Sequence, residues 1–389
     1  MKIALVAQHA APHLRDNQAD DDIRLRDLSR GLTAEGHDVT IYTQPPASDA
    51  PRRVRLRSGV RVEHLGPSPS PGQHDNDLLA RVPAFAAPLR DRLDGDRPDV
   101  VHALRWTSGL AAMAAARDLG LPVVQSFSHL CVTEQRHHLI PPGARPERIR
   151  LEPALGRSAS AVLADSTDGE SELTRAGVPR RSIRVVPSGV DTDAFTPDGP
   201  AARRDGRPRL VTVTDLDSHE DLATLLRALA RVPGAELIIA GGPPRDELDE
   251  DPAYRKLAEL AETLQVAGRV EFLGKVSRTA LPPLLRSADL LVSVCEYDPA
   301  GLKVLEAMAC GTPVVATGTG PVDAIIDGTT GICVPPHRPE LLAHRIRRLM
   351  EHPMQLAAFG MAAADRARSR YSWDRIARET AAVYDRVAA

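Results

Sequence analysis

Apolar residues along this chain fall into short runs separated by longer stretches of helix-forming composition, and that alternation predicts an α/β protein. Residues 2–7, 38–43, 60–65, 98–102, 122–127, 161–166 and 183–191 read as strands or strand ends, being short, apolar and rich in branched side chains. Between the first two, residues 23–36 place Leu25, Leu28 and Leu32 on one helical face, and residues 78–93 and 103–119 also carry helical segments. A strand–helix–strand order of this kind requires a parallel sheet. A second series follows, with strands at residues 210–214, 235–242, 270–274, 289–295, 313–317 and 331–334, then helices at 341–350 and 354–370. Residues 195–209 are rich in Pro, Gly and Arg and show no apolar periodicity, so they read as a linker. The predicted organisation is a domain at 1–194, the linker at 195–209, a domain at 210–370 and a terminal helix at 371–389.

The chemistry concentrates in residues 296–317, where a strand hands over to a short helix and then to another strand. Asp298, Pro299 and Gly301 break the strand, residues 302–310 favour a helix, and Gly311 and Pro313 stop it. In open α/β sheets ligands sit beyond the carboxyl ends of strands, where a helix N-terminus offers unpaired N–H groups to an anion. Gly301 lets the backbone come close to such a ligand. Asp298 precedes the helix and Glu306 projects from its second turn, so the spacing aims both carboxylates at one region. Taken singly, each has an ordinary reading: Asp298 as a cap, Glu306 as a solvated helix residue and Lys303 as a surface charge.

A chain of 389 residues, 42% hydrophobic and 26% charged, has the make-up of a globular protein with two domains of ordinary size. The formal net charge of −3 carries no polyelectrolyte signature, which argues against a nucleic-acid partner. No apolar run approaches membrane-spanning length and the first strand is too short for a signal-peptide core, so a cytoplasmic location is expected. Cys131, Cys295, Cys310 and Cys333 have no C-x-x-C spacing and read as buried free thiols. No His/Asp/Glu cluster has metal-ligand spacing, and no metal or other cofactor is expected. The Gly318-Thr-Gly320 pair lacks a third glycine and a preceding first strand, which argues against a dinucleotide-dependent dehydrogenase.

The stretch from Asp298 to Thr317, acid-x7-acid followed by Ala-Met-Ala-x-Gly-Thr-Pro-Val-Val-Ala, resembles the donor-binding motif of family-4 retaining glycosyltransferases of the GT-B fold, of actinobacterial type. Val185-Val-Pro-Ser-Gly-Val-Asp191 is similar to another segment of that family, and the resemblance covers nearly the whole chain. It implies two Rossmann-like domains facing a central cleft, with the C-terminal helix crossing back to the first. The partners it implies are a nucleoside diphosphate sugar as donor and a small-molecule acceptor. It further implies that Asp298 contacts the transferred sugar, that the amides of Ala300, Gly301 and Leu302 meet the diphosphate, and that Glu306 holds the nucleotide ribose. Gly274, Lys275 and Val276 would flank the base, and Gly241 would permit close approach. His9, at the end of the first strand, reads either as a packed histidine or as a residue that positions the acceptor.

The family pattern is not followed everywhere. Where the family has a Gly-Gly loop after the first strand, this chain has Asn17-Gln-Ala-Asp-Asp-Asp22. Where the family places Arg and Lys against the departing diphosphate, this chain has Asp215 and Glu220. The family's His after the strand at 122–127 aligns with Ser128, beside His129. Carboxylates in place of cations remove stabilisation from a leaving group that gains negative charge, and Lys303, at the helix N-terminus, is the expected compensator. Arg24 and Arg26 are further candidate cations, each with an ordinary reading as helix surface. Three functions stay open: a retaining glycosyltransferase of specialised, natural-product biosynthesis; a related protein that binds sugar or nucleotide without turnover; and a pseudo-glycosyltransferase of different coupling chemistry.

Overall fold

The computed structural model describes residues 1–10, 20–68, 78–127, 130–137, 140, 146–216, 219–295, 298, 300–318 and 323–389. They form two compact units, Met1–Gly189 with Trp373–Ala389, and Val190–Ser372.

In chain order the first unit comprises β1 (Lys2–Val6), α1 (Asp20–Ala34), β2 (Asp38–Thr43), β3 (Arg53–Arg55), β4 (Arg61–His64), α2 (Leu78–Asp96) and β5 (Val100–Leu104). It continues with α3 (Trp106–Ala116), β6 (Val123–Ser126), α4 (Cys131–Arg136), α5 (Pro146–Ser158), β7 (Ala161–Ala164), α6 (Thr167–Arg175) and β8 (Ile183–Val185). The second unit holds β9 (Arg209–Val213), α7 (His219–Leu229), β10 (Glu236–Ala240), α8 (Pro252–Thr263), β11 (Val270–Gly274) and α9 (Leu281–Ser287). After these come β12 (Leu290–Ser293), α10 (Leu302–Ala309), β13 (Val314–Thr317), β14 (Gly331–Val334), α11 (Pro339–Met350) and α12 (Pro353–Tyr371). The last helix, α13 (Trp373–Ala388), returns to the first unit.

The sheet of the first unit has the order β3-β4-β2-β1-β5-β6-β7-β8, parallel throughout except for the edge pair β3 and β4. β3 escapes the hydrophobic pattern because it is three residues long and alternates Arg53, Val54 and Arg55. The spacing of Leu25, Leu28 and Leu32 does what it predicts, burying all three against β-strand side chains and against Trp373, Ile376 and Tyr384 of α13. The acidic run starts the helix instead of preceding it. Asp20, Asp21 and Asp22 form the first turn of α1, where carboxylates meet the positive end of the helix dipole.

The sheet of the second unit has the order β11-β10-β9-β12-β13-β14 and is parallel throughout. The segment expected to link the domains belongs to this unit. Phe195 is 1% exposed and packs with Val190, Leu284 and Leu305. Arginines on both sides fasten it: Arg286 of α9 donates to the carbonyls of Pro200 at 2.8 Å and Thr196 at 3.0 Å, and Arg204, within the segment, pairs with Asp289 at 2.7 Å. Of the four thiols, Cys131 and Cys310 are buried, Cys295 and Cys333 are half-buried, and all are free. No helix among the described residues is long and apolar enough to cross a membrane.

α13 is held by a polar contact as well as by its apolar face. The imidazole of His102 on β5, 1% exposed, bonds through Nδ1 to the Tyr384 hydroxyl at 2.6 Å and through Nε2 to Ser126 Oγ on β6 at 2.8 Å. Burial, with the charge of Arg24 acting in the same direction, pushes its pKa down to about 3. The folded protein therefore keeps His102 neutral, whereas the unfolded chain takes up its proton below about pH 6.5. The stability this adds is complete above that pH and falls toward pH 3 by about 1.4 kcal/mol per unit. Urea unfolding at pH 6.5 and pH 5 should show the wild type losing about 2 kcal/mol more than His102→Gln. The difference between the two proteins isolates this group from others that titrate, and parallel losses would refute it.

Candidate functional site

In the second unit the strand order reverses at β9, with β10 and β11 to one side and β12 to β14 to the other. A crevice opens beyond the carboxyl ends of the strands at such a reversal. The residues that follow β9 and β12 are Thr214 and Asp215 on one side and the approach to α10 on the other. Gly241, after β10, has φ 136°, and a Cβ there would stand 2.0 Å from the Thr214 carbonyl oxygen. Only glycine lets the two loops touch. The Gly241 N–H donates to the Gly274 carbonyl at 2.9 Å and the Lys275 N–H to the Pro243 carbonyl at 2.9 Å, which ties the end of β11 to the end of β10. Gly274 is buried, Val276 half-buried and Lys275 exposed.

Gly301 caps α10 in the left-handed conformation, φ 58° and ψ 25°, and as a glycine it makes no side-chain cap bond to the helix. Its own N–H donates to Asp298 Oδ1 at 2.8 Å. Asp298 therefore shapes the turn that presents α10, with Ala300 half-buried and Leu302 buried beside it. Lys303 follows in the first turn, half-buried.

Glu306 is not a solvated helix residue. It is 0% exposed, and its Oε1 pairs with Arg278 Nη1 at 2.5 Å. Arg278 lies in the loop from β11 to α9, four residues after Gly274, with its guanidinium carbon 4.9 Å from the centre of the Phe195 ring. Its side chain is 20% exposed, and its Nη2 is buried with no hydrogen-bond partner among the described residues. Reading the sequence missed Arg278. The available signal was its place two residues after Val276, but the partner carboxylate lies on another helix.

Asp215 and Glu220 are both exposed, Glu220 in the first turn of α7, so the two expected cation positions carry solvated carboxylates. Among the described residues no three His, Cys, Asp or Glu side chains stand together as a metal-binding group.

In the first unit the sheet order reverses at β1, between β2 and β5. The Gln8 N–H, just past β1, donates to Ser108 Oγ on α3 at 2.9 Å, and the Gln8 carbonyl accepts from the Gln44 N–H at 3.0 Å. The side-chain amide of Gln8 is 0% exposed, and neither its oxygen nor its nitrogen has a partner among the described residues. His9 is half-buried in the same turn. Arg24 makes a two-pronged pair with Asp165 at the end of β7, so it is a buried structural cation and not a helix-surface charge. Arg26 pairs with Asp27 at 3.2 Å. Arg105, at φ 72°, pairs with Asp21 of α1. Ser128 and His129, with residues 17–19 of the loop that replaces the Gly-Gly motif, lie outside the described residues.

Two family models divide the chain: one described as a glycosyl transferase 4-like domain matches residues 22–189, and one described as glycosyl transferases group 1 matches residues 198–366. The D-inositol 3-phosphate glycosyltransferase 2 of Catenulispora acidiphila is 31% identical over 410 residues, covering 99% of this chain and 95% of that protein. The D-inositol 3-phosphate glycosyltransferase of Mycobacteroides abscessus is 31% identical over 415 residues, covering 100% and 90%. Among solved structures, sucrose-phosphate synthase from Thermosynechococcus elongatus matches with a TM-score of 0.87 at 24% identity, covering 99% of this chain and 98% of that one. Anabaena HepE in complex with UDP-glucose matches with a TM-score of 0.75 at 19% identity, covering 99% and 100%.

The buried amide of Gln8 gives a test of its own. A polar group without a partner in the interior costs about 1–3 kcal/mol, so Gln8→Met, which keeps the volume and removes both polar atoms, should stabilise the unliganded protein by about 1 kcal/mol. Calorimetry should record a rise in Tm of about 2–4 °C. An unchanged or lower Tm would mean that the amide is satisfied.

Proposed function

The chain belongs to the family-4 glycosyltransferases of the GT-B fold, enzymes that use nucleotide sugars, and on that premise we propose that it transfers one sugar, with retention and without a metal ion, to a small-molecule acceptor. The observation that carries this is the turn from β12 into α10, where Asp298 accepts from the Gly301 N–H and a left-handed glycine, with no side-chain cap of its own, opens the helix, with Glu306 one turn further in. Such a helix end attracts the diphosphate of the donor. Lys303 adds a full positive charge at the same end. Glu306, an acceptor-only group, suits the ribose hydroxyls, and the loop at Gly274, Lys275 and Val276 flanks the base. Asp298 faces the sugar.

In this reaction the acceptor attacks from the face that the leaving group departs, and an oxygen of the donor phosphate takes its proton. The protein's part is then to hold the reactants and to stabilise charge on the leaving diphosphate. With carboxylates at Asp215 and Glu220, that task falls to Lys303 and the α10 amides. Gln8, His9, Ser128 and His129 are the candidate acceptor contacts. The printed names of the relatives, inositol 3-phosphate and sucrose-phosphate, suggest a small polyhydroxylated acceptor, and Anabaena HepE suggests UDP as the first nucleotide to try. The altered phosphate contacts favour specialised, natural-product biosynthesis in the cytoplasm.

Calorimetric titration with UDP, GDP and dTDP and their sugars tests the reading. At least one nucleoside diphosphate should bind, Glu306→Gln should weaken it about tenfold or more, and Lys303→Ala should cut turnover on the order of a hundredfold. If none of the nucleotides binds, the transferase reading fails at its first step. Binding that never leads to donor turnover with polyol acceptors would favour a protein that holds nucleotide sugar without transferring it.

A further inference from the structure

The pair formed by Arg278 and Glu306 has a chemistry more selective than either residue alone. A carboxylate only accepts hydrogen bonds and a guanidinium only donates them. Glu306 Oε1 and Arg278 Nη1 are already joined, while Arg278 Nη2, buried beside them, has no acceptor among the described residues. Arg278 is fixed on a second side by the Phe195 ring, itself 1% exposed. Rotating Nη2 toward water would break both contacts, so the nitrogen waits for an acceptor that comes to it. Arg278 is also the more exposed of the two, at 20% against 0%, so an incoming ligand meets the guanidinium first.

The ligand class follows from complementarity. A phosphate presents only acceptors and a negative charge, and Glu306 repels it at this spot. An amine presents donors and a positive charge, and Arg278 repels it. A neutral hydroxyl donates and accepts at once, and two adjacent hydroxyls satisfy both members of the pair. We propose that Arg278 is a ribose-binding residue, donating from Nη2 to one oxygen of the nucleotide's 2′,3′-diol while its Nη1 holds Glu306 to accept from the diol. This rests on the nucleotide-sugar reading above and adds a residue that the motif does not contain.

The test compares the ribose preference of wild type, Arg278→Met, Glu306→Gln and the double variant. The probes are UDP with 2′,3′-dideoxy-UDP, and GDP with 2′,3′-dideoxy-GDP, titrated calorimetrically. Wild type should bind the ribose form about thirtyfold more tightly than its dideoxy counterpart. Arg278→Met should bring the preference below about threefold, leaving the affinity for the dideoxy form within about twofold of wild type. Because Arg278→Met strands a buried carboxylate and so works against folding, the double variant is read against Glu306→Gln, in which no charge is left unpaired by the second change. It should lose the ribose preference that Glu306→Gln keeps. Equal preference in those two proteins would overturn the donor role of Arg278 while leaving the nucleotide reading intact. No ribose preference in a wild type that binds nucleotide would instead overturn the ribose assignment of Glu306, and this inference with it.

Discussion

Parallel strand pairing is the constraint on which the rest of the molecule depends. Two adjacent parallel strands cannot be joined by a tight turn, so each connection crosses back over the sheet, usually as a helix, and all carboxyl ends gather along one edge. In the second unit the connections run one way from β9 through β10 to β11 and the other way from β12 to β14. The loops leaving β9 and β12 consequently diverge, and a helix N-terminus lines the gap. Everything proposed for the donor site lies on loops of that edge or on the first two turns of the helices they enter. The first unit repeats the device at β1, where Gln8 and Ser108 face one another across the reversal.

The second physical theme is the treatment of charge away from water. Glu306 on α10 is wholly buried, and an isolated carboxylate there would revert to its neutral acid or unfold the site. Arg278 pairs with it, and the Phe195 ring lies against the Arg278 guanidinium. Arg24 and Asp165 solve the same problem in the first unit, at the cost of removing Arg24 from any ligand role. His102 takes the opposite course and stays neutral, spending both ring nitrogens on Tyr384 and Ser126. Charge is retained inside this protein where a partner is rigid, and surrendered where the partners are hydroxyls.

What could be read from the sequence divides along the same line. Strand order, the α1 face of Leu25, Leu28 and Leu32, and the turn at Asp298 and Gly301 are local patterns with periods or spacings of their own. Arg278 and Glu306 are 28 residues apart and meet only because β11 and α10 belong to one sheet edge. No periodicity announces such a pair. Arg24 looked like a surface cation because helical spacing says which face a residue occupies, not what another strand places opposite it. The segment between Phe195 and β9 misled in a similar way: composition suggested freedom, while Arg204 pairs with Asp289 and the carbonyls of Thr196 and Pro200 accept from Arg286, partners 85 to 90 residues further on.

The carboxylates at Asp215 and Glu220 are less of an obstacle than their identities suggest. Both are exposed, so water screens them. Two unit charges 4 Å apart interact by about 1 kcal/mol in water-like surroundings, and by several times that at the lower effective dielectric of a protein surface. Glu220 and Asp221 also sit in the first turn of α7, where a negative charge is favourable to the helix by about 0.3–1 kcal/mol. A lysine at that turn would oppose the α7 dipole. The chain has thus traded a cation that a diphosphate would use for a carboxylate that the helix uses, and a solvated carboxylate repels a ligand weakly. Lys303 has only to replace the missing attraction, on a helix whose first N–H groups point the same way. The conflict that the sequence poses between fold and chemistry is one of lost stabilisation more than of added repulsion.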